Sequence, residues 1–215
     1  MPHSLSQPRA SNTPGDDAPD LLDTLVARAR TGDRAAFTLL FERYNARICA
    51  YLARLVGDDD LGHDLAQETF LAVWRALPQL RDELRFEPWL YRIATNAARS
   101  HLRRGRTLQW LPWQDAESSE ALATPGPEEH IGNSEAVSLA LKHLSPQCRT
   151  CLLLQIEGGF SQREIADLLS ISEKSVSAYV SRAREQFREV YRRLSGERQH
   201  CADQPHTQQP GGTAR

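Results

Sequence analysis

The sequence is short of what enzymes, secreted proteins and membrane proteins need. It has no Gly-rich phosphate loop, no HExxH and no Ser/His/Asp arrangement, so catalysis by the chain itself is not expected. No run is apolar enough to cross a bilayer, and the first residues lack a secretory apolar segment; a cytoplasmic protein without membrane insertion is expected. Cysteines are few. Cys49, Cys148, Cys151 and Cys201 are too scattered to suggest a disulfide scaffold. Lysine is nearly missing: of 26 basic residues all but Lys142 and Lys174 are arginine, the better fork for phosphate and carboxylate. The net charge of -2 says nothing by itself about nucleic acid, so the distribution of charge has to be read instead. No internal repeat is present, and no cofactor is implied.

What is there is helical. With 215 residues, 40% of them hydrophobic and 25% charged, the chain has room for one large or two small domains. The most informative stretch runs from Phe160 to Arg193. Ser161 with Glu164 three residues on is a capping box, and Ile165, Leu168 and Leu169 give the short helix it starts an apolar side. That helix is predicted to end near Ser170, with Ile171 buried in the bend and Ser172 capping a second helix. Val176, Val180, Ala183, Phe187 and Val190 then line one inner face at three- and four-residue steps. Two helices about a tight bend make a helix-turn-helix. The early outer positions of the second helix, Ser175, Ser177, Ala178 and Ser181, are small enough to enter a major groove. Lys174, Arg182, Arg184 and Arg188 suit phosphates, as do Arg192 and Arg193. The other reading is a helical hairpin with a solvated charged face; the bend lacks the glycine often found there.

Upstream, residues 1–18 are rich in Pro, Ser, Asn and Asp and are predicted to be disordered. Asp20 is the expected cap of a helix to Arg30, and Asp33 of the next, where Phe37, Leu40, Phe41, Tyr44, Ile48, Tyr51, Leu52 and Leu55 give the strongest amphipathic signal in the chain. Gly57 and Asp58-Asp59-Asp60 separate it from a helix over about 61–76. There Asp60, Asp64 and Glu68 fall at four-residue steps with Gln67 beside them. Like charges at that spacing repel, so the stripe is either a solvated face or a docking face for a basic partner. A polar loop over 78–86 is anchored by Leu80 and Leu84. The helix over about 87–104 buries Leu90, Ile93, Ala94 and Ala97, and its other side offers Trp89, Tyr91, Arg92, Thr95, Asn96, Arg99, Arg103 and Arg104. Rings mixed with arginines and an amide suit unpaired bases as well as phosphates; alternatively Trp89 and Tyr91 are half-buried core residues, as at least one of them is expected to be.

Residues 106–131 lack periodicity, are acidic and contain Pro112, Pro125 and Pro127, the marks of a linker. Trp110 and Trp113 are unusual there and could anchor it to a partner groove or to either domain. Helices resume over about 134–143 and, behind Ser145-Pro146, over 146–157; Gly158-Gly159 leads into the helix-turn-helix. The expected organisation is therefore all-α: a helical domain over 19–105, a linker over 106–131, a four-helix domain over 132–195, and a disordered tail over 196–215. Cys148 and Cys151 share a helix face. They are read as small hydrophobes in an apolar helix, with a metal or redox role as the alternative.

Taken together, GDRAAFTLLFERY (32–44), DLAQETFLAVWRAL (64–77), FEPWLYRIATNAARSHLRR (86–104) and SQREIADLLSISEKSVSAYVSRAREQFRE (161–189) resemble bacterial sigma factors of the extracytoplasmic-function group, over about 20–104 and 134–194. The resemblance implies that the first domain binds core RNA polymerase, on the clamp helices of the largest subunit, through Asp60, Asp64, Gln67, Glu68, Phe70 and Trp74. It implies contact with the -10 element by Leu80, Arg81 and Arg85 in the loop, which receives a flipped base, and by Trp89, Tyr91, Arg92, Asn96, Arg99, Arg103 and Arg104. The second domain would meet the polymerase flap and read the -35 element with Lys174, Ser175, Ser177, Ala178, Ser181, Arg182, Arg184 and Arg188. The linker would thread toward the RNA exit channel, and an anti-sigma factor, often membrane-bound, would mask both domains. The sequence departs from the family at Ser170, where glycine is usual, at Ser177, where a basic residue is common, and at Tyr179, where arginine often occurs. Two rival readings remain at this point: a regulator using the helix-turn-helix alone, and a protein-interaction module whose basic faces are merely solvated.

Overall fold

The computed structural model describes residues 18–81, 85–104 and 133–202, the side chains of 18–20, 133 and 196–202 excepted. Every element in it is helical. Residues 1–17 and 203–215 of the tails, the 106–131 linker with Trp110 and Trp113, and Leu84 lie outside the described residues.

Helix α1 (Ala18–Arg30) begins before Asp20, which lies in its first turn rather than capping it. A turn closed by Thr31 and Gly32 delivers Asp33, whose Oδ1 accepts from the main-chain N–H groups of Ala35 and Ala36 at 2.9 and 3.1 Å and so caps α2 (Arg34–Val56). Arg28 closes on the same carboxylate at 2.7 Å. Those main-chain bonds, then Arg28, hold the Asp33 carboxyl below its ordinary range. The inner stripe of α2, Ala36, Leu40, Tyr44, Ile48, Tyr51, Leu52 and Leu55, is buried throughout, each larger apolar side chain contributing about 1.5–3 kcal/mol.

Gly57 ends α2 in the left-handed region at φ 78°, and Asp58 caps α3 (Asp59–Ala76) by accepting from Leu61 N–H at 2.9 Å. The two helices cross closely near this turn because Gly62 of α3 has no side chain: a Cβ there would lie 2.6 Å from the Ala53 Cα. A short 3-10 turn (Leu77–Gln79) then leads toward α4 (Phe86–Arg104).

The second group contains α5 (Asn133–Lys142), α6 (Pro146–Ile156), α7 (Gln162–Leu169) and α8 (Glu173–Ala202). Ser145 caps α6 with Pro146 in its first turn. Helix α8 runs on through residues 196–202, where the polar composition had pointed to a disordered tail. The two groups do not stand apart. Helices α2 and α4 pack against α6 and α7, and one cluster of buried side chains runs from Leu25 to Ala183 through both.

The helix-turn-helix forms as its capping residues require. Glu164 N–H donates to Ser161 Oγ, and the Ser161 N–H and hydroxyl donate to Glu164 Oε2 at 2.9 and 2.7 Å. These bonds hold the Glu164 carboxyl below the usual 4.5. A carboxyl lowered by folding adds stability that is complete above its unfolded pKa and is lost as pH falls through the folded one. Glu164→Gln is therefore expected to flatten the loss of stability between about pH 5 and pH 3, seen in urea midpoints across that range.

Ser170 ends α7 in the left-handed region, at φ 57° and ψ 47°, and it is the one non-glycine residue with positive φ among those described. That conformation costs an L-residue about 1–2 kcal/mol, of which glycine's greater unfolded freedom offsets about 0.5–1. Ser170→Gly is expected to raise unfolding stability by about 0.5–1 kcal/mol in urea, with no change in the urea slope.

Candidate functional site

Three surfaces carry the residues singled out by the sequence. The first lies on α2 and α3, where Arg34, Phe37, Thr38, Phe41, Gln67, Phe70, Leu71 and Trp74 line an open trough of about 530 Å³. Its walls are held by ring pairs, Phe37 with Trp74 at 4.8 Å between centroids and Phe41 with Phe70 at 4.9 Å. Leu39 and Leu71 are exposed at 49% and 56%, high for leucines on the same pair of helices. Asp60, Asp64, Gln67 and Glu68 are exposed, and Trp74 is half-buried. Phe70 lines the trough from the inner stripe of α3, which it shares with Leu65, Ala66, Thr69 and Val73, and its ring is buried against Phe41.

The second surface is the outer side of α4. Arg92, Asn96, Arg103 and Arg104 are exposed and Trp89 is half-buried. Arg99 is half-buried, and burial, then Arg103, pulls its guanidinium below the ordinary range. Arg81 and Arg85 are also exposed. Two expected contacts are not available. Tyr91 is completely buried, its ring edge-on to Tyr51 at 5.1 Å and to Phe160 of the second group at 5.1 Å. Leu80 is buried under the turn that follows α3. Thr95 also turns inward: its hydroxyl donates to the Tyr91 carbonyl and pairs with the Tyr51 hydroxyl, each at 2.7 Å. The inward stripe of α4 is wider than the sequence spacing implied, because α4 is covered on one side by α2 and on another by α7.

The third surface is the first half of α8. Lys174, Ala178, Ser181, Arg182, Arg184 and Arg188 are exposed, and Ser175 and Ser177 are half-buried. Ser175 is already engaged in the cap, its N–H donating to Ser172 Oγ at 3.0 Å and its hydroxyl 2.7 Å from the same oxygen. Arg184 donates to Gln155 Oε1 at 2.9 Å, which fixes a cation beside the helix-turn-helix. Ile171 is half-buried in the bend.

Cys148 and Cys151 are buried with Leu152, Leu153 and Leu154. Burial pushes both thiols up, that of Cys151 to about 12, so neither is a thiolate at neutral pH. Among the described residues no three His, Cys, Asp or Glu side chains come together in a way that could hold a metal ion. Among them, too, no helix is long and apolar enough to cross a membrane.

Sequence reasoning passed over Arg149, Glu157 and Phe160, which join the two helix groups. Arg149 is only 6% exposed although it carries a charge. The signal was present, since Arg149 is the single charged residue in α6.

Known proteins resemble the chain over both helix groups. Residues 40–107 match the family described as Sigma-70 region 2, and residues 134–187 match Sigma-70, region 4. The chain is 34% identical over 174 residues to the RNA polymerase sigma-H factor of Pseudomonas aeruginosa, covering 75% of this chain and 89% of that one. It is 32% identical over 174 residues to the ECF RNA polymerase sigma-E factor of Escherichia coli K12, with the same coverage. Among solved structures it is similar to CnrH, in a complex with the cytosolic domain of CnrY, with 26% identity and a TM-score of 0.56 over 86% of this chain and 100% of that one. Sigma factors are non-catalytic regulatory proteins. The sequence motifs, the two-part helical architecture and these likenesses place the chain in the sigma-70 family of RNA polymerase sigma factors, within its extracytoplasmic-function group.

Proposed function

We propose that this sigma factor acts through a division of labour among its three surfaces. The trough and the carboxylates beside it dock on core RNA polymerase, at the clamp helices of its largest subunit. The Arg92, Asn96, Arg99, Arg103 stripe of α4, half-buried at Arg99 and exposed elsewhere, holds the separated strand at the -10 element together with Arg81, Arg85 and Trp89. The first turns of α8 enter the major groove at the -35 element, with Lys174, Arg184 and Arg188 on the backbone and Ser177, Ala178, Ser181 and Arg182 near bases. The working units are a helical domain over 19–105 and a helix-turn-helix domain over 132–195. The protein acts in the cytoplasm. A separate anti-sigma factor restrains it, a reading supported by the likeness to CnrH, which was solved with the cytosolic domain of another protein.

The trough is the observation that carries this reading. The slot is mostly apolar, with Arg34 as the one cation in its lining and Asp64 and Glu68 beside it, and a regulator working through the helix-turn-helix alone has no use for it. It fits a protein partner with apolar and basic side chains. Each DNA-facing surface alone is small, and tethering to the polymerase supplies the effective concentration that each lacks.

The test is reconstitution. Purified full-length chain, freed of any inhibitor, is mixed with core polymerase lacking its own specificity subunit. Co-elution and transcripts starting at a defined promoter are expected. Failure to associate overturns the proposal, and tight binding of duplex sites by residues 132–195 without polymerase favours the lone regulator.

A further inference from the structure

Arg184 is held by a residue from outside the helix-turn-helix. It follows Ala183, a buried residue of the inner stripe of α8, so it flanks the core instead of standing at the outer pole of the helix. Its bond to Gln155 shows that this flank faces α6. Gln155 lies in the last turn of α6, after Leu152, Leu153 and Leu154, and is half-buried. Helices α6 and α8 pack against each other, and those leucines belong to the same buried cluster as Val176, Val180 and Ala183 of α8. Both ends of the bond therefore stand on rigid backbone.

The chemistry of the holder decides what it can do. Arginine has no acceptor, so the atom it meets can only be the amide oxygen; the bond from Nη2 to Oε1, at 2.9 Å, occupies one N–H of the fork and leaves the others for a phosphate. Elsewhere in the chain arginines are held by carboxylates, Arg193 by Glu189 and Arg54 by Glu157, and their charge is offset. Among the described residues Arg184 makes no ion pair. A neutral amide orients it and leaves its charge whole. A backbone contact needs both properties. Counterion release scales with the charge brought to the phosphates, and a long side chain that is already placed has less freedom to lose on binding. We propose that Gln155 is a positioning residue for the -35 contact: it acts through Arg184, which it presents to a DNA phosphate with its charge intact. This inference rests on the -35 reading given under Proposed function, in which Arg184 holds the backbone.

The test uses the full-length chain bound to core polymerase. The probe is the duplex that this holoenzyme retains from a randomised pool. Gln155→Leu keeps most of the bulk and removes the acceptor. It is expected to weaken binding of the probe about fourfold and to leave the slope of log affinity against log salt unchanged, because the number of cations is the same. Arg184→Ala is expected to weaken binding about tenfold and to lower that slope by about one. In the double variant, Gln155→Leu is expected to add nothing to Arg184→Ala, since the amide has lost the group it acts on. A loss from Gln155→Leu that persists undiminished in the Arg184→Ala background means that Gln155 serves packing or some other contact, and overturns the inference. Wild-type affinity in Gln155→Leu, with Arg184→Ala weakened, also overturns it and leaves the functional reading standing. Wild-type affinity and slope in Arg184→Ala would strike the backbone contact itself, and the role of Gln155 would fall with it.

Discussion

Asp64→Arg is expected to reduce the affinity of the chain for core polymerase by about 100-fold, and promoter-directed transcription with it, because a like charge placed at a docking face costs several kcal/mol. Asp64 is exposed on α3, one turn from Asp60 and from Glu68. Reversing its charge relieves repulsion along that face and should leave folding unharmed, or improve it by a few tenths of a kcal/mol. Gln67→Ala removes a polar side chain from the trough wall and is expected to cost about tenfold. Fluorescence anisotropy with labelled full-length chain and core polymerase measures both, and urea midpoints show that the variants are folded. Undiminished binding by folded Asp64→Arg would remove the trough from the docking proposal.

Arg149→Met is expected to cost about 3 kcal/mol of folding stability, the largest single loss proposed here. Methionine can replace the buried stem, so the loss reports the head group. Without the guanidinium, the Leu55, Lys142 and Leu144 carbonyls lose a charged donor in a place water does not reach easily. Burial draws the Arg149 pKa down to about 10, which leaves it charged at neutral pH. Arg149→Lys should recover only part of the loss, because a compact ammonium does not span the same carbonyls as a planar fork. Equilibrium urea unfolding of the three proteins settles the order: wild type above Lys above Met. A methionine variant as stable as wild type would mean that the cation costs as much to bury as its bonds return.

What could be read from sequence was what is decided locally. Asp33, Ser145 and Ser161 were legible as caps because capping depends on a few adjacent residues, and each accepts a main-chain N–H group as expected of it. The exposed carboxylates of α3 and the outer residues of α8 followed from helical periodicity. What failed was decided at long range. Which of Trp89 and Tyr91 belongs to the core was left open by the sequence, and it is Phe160 from the other helix group that buries the Tyr91 ring. Thr95 looks polar in sequence but spends its hydroxyl on Tyr51 and on its own helix. In α6 the two cysteines drew attention, whereas the arginine between them makes the bond between the two helix groups. An apolar helix with a lone charge carries that signal, but the partners of the charge are main-chain carbonyls, which no side-chain pattern reveals.

The α2–α3 hairpin is pinned at its tip and propped at its mouth. Near the tip, the missing side chain of Gly62 lets it meet Ala53 backbone to backbone, while toward the open end four aromatic rings stand between the same two helices. The result is a fork whose gap is fixed by covalent bulk before any visitor arrives. If a partner docks there as proposed, it meets a ready-made slot and need not prise it open, so little of the ordering cost falls on the encounter itself.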